Sequence, residues 1–156
     1  MDKQKILSML DSTLLKANAS KEDILKLCGD AEKYRFAAVC VHPCHVELCK
    51  RTLKGKLPVA TVVGFPMGAN TPETKAYEAA DAVRRGADEL DMVINIGAAI
   101  DGDYKLVEED IRGVVEGTTH LKRRKESGRK PIHLGVILVI IALLIYLWYA
   151  ISTGII

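Results

Sequence analysis

Two short stretches that are apolar from end to end limit what this chain can fold into: FAAVCV from Phe36 to Val41 and PVATVVGF from Pro58 to Phe65. Both are rich in small and β-branched residues, and each is followed by residues with a helical pattern. A strand that reads as an unbroken apolar run is covered on both faces, which is the condition of a parallel sheet. Parallel neighbours require a crossover of about a dozen residues or more, usually a helix. The chain is therefore expected to build repeated βα units.

The remaining elements fit this scheme. Asp11 to Leu15 reads as a first strand. Ser20 can cap a following helix, with Asp23 in its first turn, where a negative charge suits the helix dipole. Ile24, Leu25, Leu27, Cys28, Ala31 and Tyr34 recur at helical spacing and predict its buried stripe. His45 to Leu53 reads as a shorter helix. Thr71-Pro72-Glu73 is a helix start, with Thr as the cap and Pro at the first helical position, and Gly86 stops that helix. Glu89 to Ile96 (ELDMVINI) reads as a fourth strand, and Tyr104 to Glu116 as an amphipathic helix. Four βα units are half of an eight-unit barrel, which typically takes about 250 residues; an open doubly wound sheet is also allowed.

Composition changes sharply along the 156 residues. Six basic residues and one acidic residue lie beyond Gly117, so the net charge of +2 conceals a charge of about −3 on residues 1–117. The basic run carries no interleaved aromatic residues, which speaks against nucleic-acid binding. Residues 118–133 hold the charges, Ser127-Gly128 and Pro131, and are expected to form a basic linker. Leu134 to Ile156 contains no charge, and as a helix rising about 1.5 Å per residue it would be long enough for a hydrocarbon core of about 30 Å. A transmembrane helix is expected over 134–156, with Tyr146, Trp148 and Tyr149 at one interface. The basic residues before it would keep the N-terminal part in the cytoplasm. Met1 to Leu10 does not read as a signal peptide, and Cys28, Cys40, Cys44 and Cys49 are expected as reduced thiols.

Strand alternation separates the candidate site residues from the core. Leu90, Met92, Ile94 and Ile96 would face the helices; Glu89, Asp91, Val93 and Asn95 would face the other way. A carboxylate pointing into a barrel has to be hydrogen-bonded, either in a structural network or as part of a site. Asp11 on the first strand poses the same alternative. Cys40, His42, Cys44, His45 and Cys49 do not follow a zinc-ligand spacing, and Cys40 reads as a core or pocket-lining residue. Gly64-Phe65-Pro66-Met67-Gly68 lacks the usual phosphate-loop patterns and reads as a tight loop after a strand.

Taken in order, Asp11-Ser12-Thr13-Leu14-Leu15, Ala38-Val39-Cys40-Val41-His42-Pro43, Val63-Gly64-Phe65-Pro66-Met67-Gly68, Gly86-Ala87-Asp88-Glu89-Leu90-Asp91-Met92-Val93-Ile94-Asn95, Gly102-Asp103-Tyr104 and Val107-Glu108-Glu109-Asp110-Ile111 resemble bacterial deoxyribose-phosphate aldolase. The resemblance covers about residues 1–117, roughly the N-terminal half of that family's barrel. It implies a partial (β/α)8 TIM barrel and a lyase of the class I aldolase type. Such an enzyme cleaves 2-deoxy-D-ribose 5-phosphate to glyceraldehyde 3-phosphate and acetaldehyde through a lysine Schiff base, without metal or other cofactor. Asp91 matches the family's proton-relay aspartate, Asp11 an aspartate of its first strand, and Cys40 a cysteine near its pocket.

The Schiff-base lysine, a second lysine and the phosphate loops belong to later strands of the family, and the resemblance ends near Gly117. The chain is therefore expected to be inactive by itself and not to bind the sugar phosphate. Three roles are compatible with this: a truncated aldolase, one half of a split aldolase that needs a partner chain, and a membrane-anchored module without catalysis. The first and fourth strands of a lone half barrel would be open edges, prone to self-association or to pairing with a complementing half.

Overall fold

The expected alternation of strands and helices appears in the computed structural model, which describes residues 2–126. Strands Asp11–Leu14 (β1), Ala38–Val41 (β2), Val59–Val63 (β3) and Glu89–Met92 (β4) form one four-stranded sheet in chain order. Every pairing is parallel, with Thr13 opposite Cys40, Cys40 opposite Ala60 and Val62 opposite Asp91. Helices α1 (Lys3–Leu7), α2 (Lys21–Tyr34), α3 (Val46–Leu53), α4 (Pro72–Arg85), α5 (Ile96–Ile100) and α6 (Tyr104–Glu126) complete the described residues, with a 3-10 turn at Pro43–His45.

Local chemistry explains where the longer helices begin and end. Ser20 and Asp23 form a reciprocal capping box: the Ser20 hydroxyl accepts the Asp23 amide, and the Asp23 carboxylate accepts the Ser20 amide at 2.8 Å. Two of the amide donors left free at a helix start are thereby satisfied. Thr71 caps α4, with Pro72 at its first position. Gly86 ends that helix at φ 113°, where a side chain would be strained.

One face of the sheet carries the main core. Ile24, Cys28 and Ala31 of α2, Val46, Cys49 and Leu53 of α3, Ala79, Ala82 and Val83 of α4, and Val114 of α6 pack on it. Val39, Val41, Val59, Val63, Leu90 and Met92 are the strand residues they cover. The opposite face carries Cys40, Ala60 and Val62, packed with Leu15 and Phe65. The two sets alternate along β2 and β3, as the period of a strand requires.

Several expectations are corrected. The buried stripe of α2 is narrower than its spacing indicated, because Leu25 and Tyr34 are exposed. The fourth strand ends at Met92 instead of Ile96: the Asn95 side chain accepts the Ala98 amide at 3.1 Å and starts α5. Asparagine competes for the backbone in this way and favours a cap over continued pairing. Helix α6 continues to Glu126, into residues expected as linker; Leu121-Lys122-Arg123-Arg124-Lys125-Glu126 are good helix formers with no breaker among them.

The expected fold class, a partial barrel followed by a single transmembrane helix, is also corrected. The sheet and its helices fit a partial TIM barrel or a related α/β fold, but among the described residues no helix is long and apolar enough to cross a membrane. Helix α6 has 23 residues, yet it is amphipathic and charged throughout. The charge-free stretch over 134–156, on which the membrane expectation rested, lies outside the described residues.

A buried ion pair fastens the fourth unit to the third. Lys75 of α4 is fully buried, and its Nζ donates to Asp110 Oδ2 of α6 at 2.6 Å and to the Val93 carbonyl at 2.9 Å. The same Asp110 oxygen accepts the Asn95 amide at 3.1 Å. A β-carbon at Gly64 would approach Lys75 Cε to 2.8 Å, so the bare backbone there makes room for the lysine. Removing one partner would leave a charge buried without its counterion. Lys75→Ala is therefore expected to destabilise the fold by about 3–5 kcal/mol, read as a lowered midpoint in urea unfolding.

Candidate active site on the second face of the sheet

The face opposite the main core gathers acids from strands far apart in sequence. Asp11 starts β1, Cys40 lies in β2, and Glu89 and Asp91 lie in β4. Cys40 is buried, and its thiol donates to Asp91 Oδ2 at 3.7 Å across the sheet. Asp11, Glu89 and Asp91 are half-buried. Among the described residues, no ion pair neutralises any of these three acids.

Their protonation follows from that setting. Burial pushes the Asp91 carboxyl above its ordinary range; the charge of Asp11 pushes it further, and the Cys40 thiol partly offsets the rise. Asp11 is raised by burial. Glu89 is raised by burial and then by Asp11 and Asp91. The Cys40 thiol is pushed up to about 12, first by burial and then by Asp91 and Asp11. It stays protonated at neutral pH and acts as a hydrogen-bond donor, not as a thiolate nucleophile. A carboxyl held above its usual range on a partly covered surface is suited to receiving a proton and handing it on.

The three expected site residues, Asp11, Cys40 and Asp91, are thus brought together. Glu89 joins them; alternation along the strand gives its direction, and only the pairing of four strands gives its nearness to Asp11. Asn95 leaves this set and serves as the cap of α5. The cysteines and histidines around β2 separate. His42 Nε2 lies 3.0 Å from the Leu15 carbonyl, with its ring edge-on to Phe65 at 5.7 Å, while Cys44 is exposed and Cys49 is in the main core. Lys75, fully buried in α4, is tied to Asp110 and the Val93 carbonyl, and its ion pair is with Asp110 and not with any of the three acids. Its role was not legible, because no local pattern ties Lys75 to a residue 35 positions away.

A parallel four-stranded sheet with helices on one face and acids on the other fits a partial TIM barrel or a related α/β fold. Similarity to known proteins agrees. The chain is 55% identical over 117 residues to the deoxyribose-phosphate aldolase of Clostridium perfringens and 56% identical over 112 residues to that of a Geobacillus strain. These matches cover 74% and 71% of this chain, and 52% and 50% of the relatives. Among solved structures, the aldolase QR15 superposes with a TM-score of 0.69 at 35% identity, covering 72% of this chain and 51% of that one. Deoxyribose phosphate aldolase from Aeropyrum pernix gives 0.68 at 27% identity, with 75% and 49% covered. No family model matches the chain. The resemblance read from the sequence is therefore shown: the chain has curated homologues named deoxyribose-phosphate aldolase. It spans about half the length of the curated relatives it matches.

The crowding of acids has a consequence for stability. Asp11 and Asp91 titrate above 3.8 in the fold, and Glu89 above 4.5. Between the unfolded and folded values the native state binds more protons than the unfolded chain, so stability falls as pH rises through that window. The stabilising contribution of the protonated acids is complete below the unfolded values and lost above the folded ones. Asp91→Asn is expected to raise the urea midpoint at pH 7 relative to the parent and to flatten the decline from about pH 4 upward. An unchanged pH profile would contradict the assignment of Asp91 to this cluster.

Proposed function

We propose that residues 1–117 supply the first four βα units of a deoxyribose-phosphate aldolase barrel, with Asp91 as the proton-transferring acid of the site. The observation that supports this best is the placement of Asp91 beside Asp11 and Cys40, on three strands and one face, with its carboxyl raised by burial and by the charge of Asp11. Retro-aldol cleavage by a lysine imine needs an amine to attack the sugar carbonyl and a group that moves protons at the reacting carbons. This chain provides the second requirement. For the first, Lys75 is committed to its ion pair, and the family's imine-forming lysine belongs to later strands. Residues 1–117 by themselves are accordingly read as inactive.

The strand order marks where the remaining βα units would join. Neighbouring strands pair only within the order β1-β2-β3-β4, so among the described residues β1 and β4 each have one unpaired edge. Unpaired parallel edges invite another strand, and a polypeptide carrying the remaining βα units would use both.

Two measurements test the reading. Incubation of the purified chain alone with the deoxysugar phosphate is expected to release no acetaldehyde; measurable release would overturn the claim of inactivity. Mixing the chain with the C-terminal half of the Clostridium perfringens relative is expected to restore acetaldehyde release from the deoxysugar phosphate. Asp91→Asn should lower that restored kcat by about 10²–10⁴-fold. Restored activity that is indifferent to Asp91→Asn would remove this residue from the proposed role.

A further inference from the structure

Strand β4 ends one residue after Asp91, so the direction of the Asp91 side chain depends on how the chain is held just beyond it. Val93 is gripped from both sides: its amide donates to the Val63 carbonyl at 2.9 Å, and its carbonyl accepts Lys75 Nζ at 2.9 Å. Asp110 Oδ2 accepts the Asn95 amide at 3.1 Å and Lys75 Nζ at 2.6 Å. The ion pair thus takes main-chain groups on either side of Ile94. The loop after β3 lies against the same backbone: a β-carbon at Gly68, where φ is 67°, would fall 1.9 Å from the Ile94 carbonyl oxygen. Gly64 holds that loop in turn. Its amide donates to Glu78 Oε2 at 2.8 Å, and its lack of a side chain admits the stem of Lys75.

We propose that Lys75 and Asp110 are positioning residues for Asp91, acting through the backbone of residues 93–95; the inference rests on the reading of Asp91 as the proton-transferring acid. Cohesion alone does not call for these charges, since a buried ion pair can often be replaced by apolar side chains of similar volume without loss of stability. What the charges add is direction. Hydrogen bonds to ionised groups are shorter and stronger than neutral ones, and here they end on a carbonyl and an amide that lie beyond the last residue of β4. The ion pair closes on itself and not on the acids, so its effect on Asp91 runs through the main chain. Among the described residues, the side-chain hydrogen bond of Asp91 is to the Cys40 thiol at 3.7 Å, a weak donor that does not fix the carboxyl alone. A displacement of about 1 Å at a group that must meet a reacting proton is enough to cost about 10²-fold in rate.

The test uses the full chain and replaces both charges at once, because removing one leaves the other buried and unpaired. Lys75→Met with Asp110→Asn keeps the lysine stem and an acceptor for the Asn95 amide, but loses the bond to the Val93 carbonyl. Two readouts follow. The first is the pH midpoint of the Asp91 carboxyl, followed by carbon-13 NMR in the chain alone. It is expected to fall toward the ordinary carboxylate range as the loosened strand end admits water. The second is kcat for acetaldehyde release after mixing with the C-terminal half of the Clostridium perfringens relative. It is expected to drop about 10–10²-fold with KM unchanged, as for a group that acts on the reacting proton and not on binding. Where the parent mixture is active, a folded double variant with parental kcat overturns the proposal. Where the parent mixture releases no acetaldehyde, the reading of Asp91 has failed separately. The midpoint then decides: unmoved, it overturns the positioning claim, and lowered, it upholds it. Should the double variant not fold, Asp110→Asn alone is put to the same readouts, with smaller changes expected in the same directions.

Discussion

A sheet covered by helices leaves little room for polar groups without partners, and the placement of every buried charge in this fold follows from that. On the helix-covered side, buried charges are paired within the protein, although one oxygen of Asp110, Oδ1, is buried without a hydrogen-bond partner. The Thr61 hydroxyl donates to the Val41 carbonyl at 2.7 Å. Asp88 receives Lys50 and the Val59 amide, closing the N-terminal side of β3 against α3. Lys75 and Asp110 do the same for α4 and α6 at the other end of β4. A buried pair of this kind contributes little net stability compared with apolar packing, but breaking it is costly. It therefore fixes one arrangement of the elements more than it adds to their cohesion.

The second face follows a different rule. Asp11, Glu89 and Asp91 share a small region, and among the described residues their charges go unopposed. Burial and mutual repulsion both disfavour the ionised forms, so this surface costs stability at neutral pH. Sequences that specify one fold generally satisfy their polar groups, and departures from that pattern concentrate where chemistry is done. Cys40 partly offsets the cost by donating its thiol hydrogen to Asp91. The contrast between the two faces, paired charges on one and crowded like charges on the other, is the physical basis for placing a site on the second.

Much of this was legible in the sequence because it depends on local rules. Ser20 with Asp23, Thr71 with Pro72, and Gly86 each announce a helix boundary through their own hydrogen-bonding or conformational preference, and the structure has them there. The apolar runs of β2 and β3 gave the parallel sheet. The inward direction of Asp91 followed from alternation. What stayed hidden was set by distant partners. Lys75 reads as an ordinary helical lysine until Asp110 is folded against it, and Leu25 and Tyr34 read as core until the actual neighbours of α2 are known. Asn95 is ambiguous for a different reason: the same residue can extend a strand or cap a helix, and the following Ile-Gly-Ala-Ala segment decides it.

The charge on the second face also bears on which polypeptide can complete the sheet. A second copy of this chain would offer matching strand edges, and pairing β4 of one copy with β1 of the other satisfies the backbone. It would also add Asp11, Glu89 and Asp91 of the second copy to a surface where the same residues already repel each other. Like charges brought into a region of low dielectric raise one another's pKa still further or force protonation. A complement that carries lysine or arginine on its inner face does the reverse: it draws the raised carboxyls back toward their ordinary range and turns the unfavourable surface into part of the association energy. Backbone geometry alone is indifferent between the two partners, and on the proposed reading it is the acids that would favour a cation-bearing one.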